Sequence, residues 1–211
     1  MSPSIGPGSP PALLEPHIAS RLRPLSAADA GKHASDYDLN PDMPRSDRPL
    51  AEAAVLVPLV ERPDALTVLL TRRSDSLKKH SGQVAFPGGR CDSGETAVQA
   101  AVREAHEEVG LDARFVRPVG LGDPYETGTG FRITPVVAFV SPGFTITPSP
   151  DEVAEVFEPP FDFLMDLANH EHHERPFGDV VRRFYAVPWE GRFIWSATAG
   201  IVRGLQLRLF G

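Results

Sequence analysis

Three glutamates stand close together in one segment of the chain. Glu104, Glu107 and Glu108 have the i, i+3 and i+4 spacing of neighbours on a helix surface. Carboxylates at this spacing repel one another unless a cation takes up their charge. Oxygen ligands of this kind suit Mg²⁺ or Mn²⁺ better than zinc. The spacing therefore predicts a divalent-cation site, and a solvated acidic helix face is the alternative interpretation of the same pattern.

A helix with marked ends must carry these glutamates. Thr96 followed by Gln99 forms a capping-box pattern, and Gly110 is suited to end a helix because glycine tolerates positive φ. The sequence therefore predicts a helix from about Ala97 to Val109. Its apolar residues fall on one face that should pack against a sheet: Val98, Ala101, Val102, Ala105 and Val109.

The residues around the glutamates extend this pattern over 23 positions. Their order resembles the Nudix box, which runs Gly-x5-Glu-x7-Arg-Glu-U-x-Glu-Glu-x-Gly-U with U apolar. Ala105 is small for its bulky position, which should affect packing rather than metal binding. On this pattern the chain is identified as a member of the Nudix hydrolase superfamily. The matching residues are Gly89, Glu95, Arg103, Glu104, Ala105, Glu107, Glu108, Gly110 and Leu111.

This resemblance implies an α/β (α+β) fold, the Nudix α/β/α sandwich around a mixed β-sheet. It also implies that the helix and the loop before it form a catalytic metal site for Mg²⁺ or Mn²⁺. Bound cations would neutralise a diphosphate and lower the pKa of a bound water. The implied metal ligands are Glu104, Glu107, Glu108 and the carbonyl of Gly88, while Glu95 and Arg103 brace loop and helix as an ion pair.

The segment before the box narrows the substrate class. Residues 69–89 resemble the signature of the coenzyme A pyrophosphatase branch, Leu-Leu-Thr-x-Arg-Ser, a basic residue, a Gly, and Phe-Pro-Gly-Gly. Lys78 departs from it, because the signature has Arg there; lysine keeps the charge but loses the bidentate fork. The other matching residues are Leu69, Leu70, Thr71, Arg73, Ser74, Gly82, Phe86, Pro87, Gly88 and Gly89.

The same segment is the densest basic stretch of an acidic protein. Coenzyme A carries a 3′-phosphate beside its diphosphate, so an enzyme specific for it needs additional positive charge near the metal site. Gly88 and Gly89 would let the backbone approach the phosphates. A surface loop with solvated charges is the alternative. The candidate substrate-binding residues are Arg72, Arg73, Lys78, His80, Gly88 and Gly89.

A general base should lie beyond the box. Glu152 and Glu155 are the candidates, with Glu158 behind them, and one of them could instead complete the metal shell. A helix cap or a solvated turn is the structural alternative for each. The histidines of residues 170–173 lack regular spacing and fall in a polar segment predicted to be a loop, so no metal site is assigned to them.

Composition sets limits on the remaining properties. The chain has 211 residues, a net charge of −7 and the single cysteine Cys91. We therefore expect no general nucleic-acid or membrane-binding surface, and a cytoplasmic location. Pro, Ser and Gly punctuate residues 1–48, which should form a flexible or loosely docked extension; residues 49–211 should form the Nudix hydrolase domain.

Periodicity predicts the remaining elements. Residues 51–60 and 65–71 should form a hairpin. Helices are expected at about residues 160–167 and 196–209, and a short helix can form near residues 16–25. The last helix should pack in the core, with homodimerisation as the alternative. Further strands are predicted at residues 83–86, 114–120, 133–140 and 183–187.

These inferences predict hydrolysis of the diphosphate of coenzyme A or its derivatives to 3′-phosphoadenosine 5′-phosphate and 4′-phosphopantetheine. A second enzyme hypothesis replaces that substrate with ADP-ribose, a dinucleotide or a nucleoside triphosphate. A third hypothesis, from another class, is a ligand-binding module without catalysis, which the complete set of box carboxylates disfavours.

Overall fold

The computed structural model describes residues 5–27, 34–45, 47–75, 81–178 and 180–211. Lys78 and His80 lie outside the described residues. The helices are α1 (Pro11–Arg21), α2 (Asp36–Leu39), α3 (Ala97–Val109), α4 (Phe161–Met165) and α5 (Ala197–Phe210). The strands are β1 (Ala34–Ser35), β2 (Ala51–Glu61), β3 (Leu66–Val68), β4 (Leu70–Arg73), β5 (Val84–Ala85), β6 (Gly88–Arg90), β7 (Val116–Leu121), β8 (Tyr125–Glu126), β9 (Phe131–Val140), β10 (Val153–Phe157), β11 (Glu171–Phe177), β12 (Val180–Trp189) and β13 (Arg192–Trp195).

A mixed seven-stranded sheet forms the centre of the fold. Its strand order is β1-β8-β9-β2-β3, with β6 joined to β2 and β7 joined to β9. The long strands β2 and β9 run parallel, while β3 and β6 pair with β2 in the antiparallel direction. The predicted hairpin of residues 51–71 is confirmed in its first part, since β3 returns antiparallel to β2.

Helices cover both faces of this sheet because the residues of β2 alternate between two cores. Leu56 and Val60 belong to the core on the side of α3. Val57 and Leu59 belong to the core on the other side, which also contains buried residues of α1, α4 and α5. The predicted α/β/α sandwich with a mixed sheet is therefore confirmed.

Two small antiparallel sheets flank the central one. Strand β4 lies between β10 and β5, and β12 lies between β11 and β13. The expectation of a polar loop around His172 and His173 is wrong, because both residues lie in β11 and face Tyr185 and Phe184 of β12. The sequence of β11 has no apolar alternation, so its strand conformation depends on pairing with β12.

The N-terminal helix is packed against the body of the fold. Leu14 and Ile18 of α1 are 2% and 0% exposed and lie in the same core as residues of α5. Helix α5 likewise packs in the core, with Ala199 and Val202 buried. The assignment of residues 1–48 to a separate extension stays a prediction. No helix within the described ranges is long and apolar enough to cross a membrane.

Candidate active site

Local hydrogen bonds fix the ends of the glutamate-bearing helix α3. The Thr96 hydroxyl accepts from the Gln99 amide at 3.3 Å, and the Gln99 side chain accepts from the Thr96 amide at 2.9 Å. Gly110 ends the helix with φ of 69°. The predicted bounds are confirmed, so the positions of the three glutamates along the helix are set by local sequence.

Arg103 ties this helix to the loop that precedes it. Its Nε and Nη2 atoms each donate to the Glu95 carboxylate at 2.9 Å, and Nη2 also donates to the carbonyl of Arg90 at 3.2 Å. Hydrogen bonding from Arg103 is the main cause that lowers the pKa of Glu95 to about 2. The structure thus brings together the two residues that the family resemblance pairs as a brace.

The same guanidinium also contacts two of the three box glutamates. Arg103 Nη1 donates to Glu104 at 2.8 Å and to Glu107 at 3.1 Å. The side chain of Glu107 is 56% exposed, whereas that of Glu104 is 18% exposed. In this arrangement the described residues contain no group of three His, Cys, Asp or Glu side chains positioned around one point for a metal ion.

Glu108 has different surroundings from the other two box glutamates. It is 4% exposed, and its Oε2 accepts from the Gly88 amide at 3.2 Å. Burial raises its pKa to about 7, against the lowering effects of the Gly88 amide and Arg73; the nearby charges of Glu104 and Glu152 raise it further. A buried carboxylate with this pKa lacks the full counter-charge that would keep it ionised.

Two glycines of β6, Gly88 and Gly89, lie against Glu108 and Glu104 of α3. A Cβ on Gly89 would lie 2.5 Å from the Glu104 carboxylate, and one on Gly88 would lie 2.4 Å from the carbonyl oxygen of Ala54. Strand β6 pairs with β2 at these positions, so the backbone has no room to retreat. A side chain at Gly88 would therefore clash with the backbone of β2, whereas one at Gly89 would displace the Glu104 carboxylate of α3.

The residues present fit a hard divalent cation. Glu104 and Glu108 supply carboxylate oxygens, the ligand type that Mg²⁺ and Mn²⁺ prefer. The raised pKa of Glu108 indicates a buried acid that an adjacent cation would return to its ionised form. The site is therefore short of positive charge at the end of the box where the resemblance implies the metal.

The two arginines of the upstream segment face different partners. They are adjacent in β4, so their side chains point to opposite sides of the strand. Arg73 approaches the box, with Nη1 3.7 Å from Glu108 Oε1. Arg72 instead contacts Asp75 at 3.2 Å and Glu155 at 3.5 Å. Of these two candidate substrate contacts, only Arg73 lies against the carboxylates of α3.

The two candidate bases also lie in different surroundings. Glu155, on β10, accepts from Arg192 Nε at 3.0 Å and Nη2 at 2.6 Å, and it contacts Arg72 as well. Glu152 is exposed and close enough to Glu108 for its charge to raise the pKa of that residue. Sequence reasoning missed Arg192, because it lies on β13, 37 residues from its partner, and no local pattern marks it.

The histidines of residues 170–173, the single cysteine and Glu158 have other surroundings. The Nε2 atom of His170 lies 2.8 Å from the carbonyl oxygen of Leu164, and the Nε2 atom of His173 lies 2.6 Å from Glu171 Oε2. Burial is the largest cause that raises the pKa of Cys91 above its ordinary value, which disfavours a reactive thiolate. Glu158 is bound by Arg62 through Nε at 3.0 Å and Nη2 at 2.6 Å.

Comparison with known proteins places this site in context. Residues 50–193 match the family model described as NUDIX domain. The chain is 43% identical over 154 residues to "Uncharacterized Nudix hydrolase NudL" of Yersinia enterocolitica, covering 72% of this chain and 78% of that protein. It is 40% identical over 172 residues to the protein of the same name from Cronobacter sakazakii, covering 81% of this chain and 89% of that one.

A solved structure is also similar to part of the chain. It is described as a Nudix hydrolase from M. Smegmatis, RenU, and it is 30% identical with a TM-score of 0.44. The alignment covers 53% of this chain and 71% of that one.

Proposed function

The chain belongs to the Nudix family of pyrophosphohydrolases, and from that premise we propose that its substrate is coenzyme A or a derivative. The reaction is hydrolysis of the diphosphate to 3′-phosphoadenosine 5′-phosphate and 4′-phosphopantetheine, with Mg²⁺ or Mn²⁺. The main support is the 3.7 Å approach of Arg73, from the coenzyme A signature, to Glu108, from the Nudix box. This contact joins the segment that suggests the substrate to the segment that carries the chemistry.

The box glutamates hold the cation in this proposal. Glu104, Glu107 and Glu108 supply carboxylate oxygens, and the Gly88 carbonyl assists them. A bound divalent cation would neutralise the diphosphate oxygens and lower the pKa of the attacking water. Glu95 and Arg103 keep the loop in register with the helix, because both carboxylate oxygens of Glu95 accept from Arg103.

Glu152 is the general base that we propose. Its side chain is exposed on the segment leading into β10, and its charge reaches Glu108. Its backbone is anchored, because its carbonyl accepts from the Ser74 amide at 2.8 Å. Glu155 instead forms ion pairs with Arg192 and Arg72, a structural role. The contacts with two arginines hold the Glu155 carboxylate in place, so it is less free than the exposed Glu152 to reach a substrate-bound water.

The basic segment recognises the substrate phosphates in this proposal. Arg72 reaches the surface beside Asp75, and Lys78 and His80 follow a few residues later in the chain. These residues supply the positive charge that a 3′-phosphate requires, while Arg73 serves the diphosphate. Lys78 acts as a point charge rather than as a bidentate fork.

Product analysis tests this function. Purified protein is incubated with coenzyme A, dephospho-coenzyme A, ADP-ribose and dinucleotides, each with Mg²⁺, with Mn²⁺ and with chelator. We expect preferential, metal-dependent release of 3′-phosphoadenosine 5′-phosphate from coenzyme A. Preferential cleavage of another compound would retain the Nudix chemistry and remove the coenzyme A assignment. No cleavage of any compound would favour a ligand-binding module.

A charge reversal separates recognition of the 3′-phosphate from general effects. Lys78→Glu should reduce kcat/KM for coenzyme A much more than for dephospho-coenzyme A, which lacks the 3′-phosphate. Arg114→Glu is the matched control, because Arg114 is 73% exposed and its contacts within the described residues are with its neighbours Asp112 and Phe115. Equal losses with both substrates would contradict a contact between Lys78 and the 3′-phosphate.

A further inference from the structure

The backbone of Arg73 is held firmly at the meeting point of the two motifs. Its amide donates to the Gln83 carbonyl at 3.0 Å, and its carbonyl accepts from the Gly82 amide at 3.2 Å. On the other edge of β4 it pairs in register with Val153 of β10. The strand therefore presents the Arg73 side chain to α3 from a fixed position.

The N–H donors of the Arg73 guanidinium are incompletely paired. Its Nη1 atom lies 3.7 Å from Glu108 Oε1, which is an ion pair but longer than a charge-assisted hydrogen bond. Its Nε atom is buried and has no hydrogen-bond partner within the described residues. A buried N–H without an acceptor is costly in a folded protein. The guanidinium therefore has unused donors beside the metal site.

Glu108 likewise lacks a full set of partners. Its side chain is 6% exposed, and one oxygen accepts from the Gly88 amide while the other faces Arg73. A divalent cation at this carboxylate would lie close to the guanidinium and repel it. The side chain of Arg73 is 30% exposed, so it has an open side toward which it can move.

We propose that Arg73 is an exchangeable counter-ion of the metal site. In the metal-free protein its guanidinium offsets the charge of Glu108. When a divalent cation binds at Glu108, the guanidinium turns away and its N–H donors bind an oxygen of the substrate diphosphate, a step that rests on the proposed function. Arginine suits this second role because its planar fork matches phosphate oxygens.

Arg72 provides a matched control for this proposal. It is the neighbouring residue on the same strand, has the same charge and is about equally exposed, at 33% against 30%. Its ion-pair partners are Asp75 and Glu155 rather than a glutamate of α3. Arg72→Gln therefore removes one positive charge from β4 without removing the partner of Glu108.

The first test uses metal alone and no nucleotide. Mn²⁺ affinity is measured by electron paramagnetic resonance for wild type, Arg73→Gln, Arg73→Lys and Arg72→Gln. We expect Arg73→Gln to bind Mn²⁺ about three- to tenfold more tightly, since a repelling charge is gone, and Arg72→Gln to stay near wild type. Unchanged or weaker binding by Arg73→Gln would overturn the proposal, as would an equal increase in both glutamine variants.

The second test measures coupling to Glu108 through thermal stability in chelator above pH 8. Arg73→Gln should lower the Tm of an otherwise wild-type chain. Mn²⁺ should then increase the Tm of this variant by more than it increases the Tm of wild type. In a Glu108→Gln background the same substitution should have little effect on Tm, because the charge that it compensates is absent. An equal loss of Tm in both backgrounds would mean a packing role for Arg73. If Arg73→Gln does not fold in chelator, Arg73→Lys should fold and retain near-wild-type Mn²⁺ affinity.

The substrate half is tested separately by steady-state kinetics. Arg73→Lys should raise KM for coenzyme A and dephospho-coenzyme A by a similar factor, because both contain the diphosphate. An increase in KM for coenzyme A alone would assign Arg73 to the 3′-phosphate and would overturn its proposed contact with the diphosphate. If wild type cleaves neither compound, the proposed function fails, but the metal titration still decides whether Arg73 and the cation compete.

Discussion

The two ends of the Nudix box differ in how completely their charges are compensated. Near the start, Glu95 accepts two hydrogen bonds from Arg103, and its pKa falls to about 2. Near the end, Glu108 is buried beside Gly88 with the Arg73 guanidinium 3.7 Å away, and burial raises its pKa to about 7. Two glutamates of one short motif thus have pKa values shifted in opposite directions. The first end is suited to rigidity, and the second is suited to binding a cation.

The largest expected effect is at the buried end. Glu108→Gln should lower metal-dependent turnover by more than about 100-fold, a larger loss than substitution of an outer-shell partner usually gives. Circular dichroism and Tm should show that the variant stays folded. Glu158→Gln is the control, because Arg62 and Thr67 hold the Glu158 carboxylate and no contact joins it to α3 among the described residues. Full activity of Glu108→Gln would remove that glutamate from the metal site.

A smaller effect is expected at the compensated end. Glu95→Gln leaves the proposed metal ligands in place but breaks the double hydrogen bond with Arg103. We expect turnover to fall about 10- to 100-fold, as for other residues that orient metal ligands. Amide hydrogen exchange in residues 91–95 should also become faster. A variant with normal exchange and low activity would indicate that Glu95 acts directly in the chemistry.

The two glycines of β6 should differ in what their replacement damages. A Cβ on Gly88 meets the backbone of Ala54 and Val55, which cannot move without disturbing β2. Gly88→Ala should therefore destabilise the fold by about 1–3 kcal/mol. The atoms nearest to a Cβ on Gly89 belong to the carboxylate of Glu104, which can move. Gly89→Ala should therefore remain nearer wild-type Tm and lose activity. Equal decreases in Tm for Gly88→Ala and Gly89→Ala, measured by thermal unfolding without urea, would contradict this distinction.

The smallest expected effect is on stability as a function of pH in chelator. The pKa of Glu108 is raised in the fold from 4.5 to about 7. The unfolded chain therefore releases this proton first, and stability decreases as pH rises from about 4.5 to 7. Glu108→Gln should remove that decrease, measured by urea unfolding at several pH values. A wild-type curve that the substitution leaves unchanged would contradict the raised pKa.

Glu95 contributes with the opposite sign. Its pKa is lowered from 4.5 to about 2, so its contribution is present above pH 4.5 and is lost as pH falls toward 2. Glu95→Gln should reduce stability near neutral pH and flatten the acid limb of the same unfolding series. Identical acid limbs in wild type and variant would mean that the ion pair with Arg103 does not persist in solution.

Features that depend on neighbouring residues could be predicted from the sequence. The bounds of α3 agree with the prediction because Thr96, Gln99 and Gly110 determine them locally. The start of β2 at Ala51 agrees as well, because its apolar run begins there. The contact between Glu95 and Arg103 was expected from the family resemblance and is present in the structure.

Features that depend on distant residues could not be predicted. The second apolar run of residues 65–71 divides between β3 and β4, which join different sheets. Strand β10 follows a segment that suggested only a cap or a turn, and its strand conformation comes from pairing with β4. The approach of Arg73 to Glu108 likewise depends on how β4 packs against α3, and the spacing of residues along the chain does not predict it.

The location of a bound cation tests most directly whether the incompletely compensated end of the box is the metal site. Crystals grown with Mn²⁺ would give an anomalous difference peak for each bound ion. We expect a peak in contact with the carboxylates of Glu104 and Glu108, with Arg73 displaced from Glu108. A peak away from these two carboxylates, or an ion bound there while Arg73 keeps its present contact with Glu108, would contradict the account.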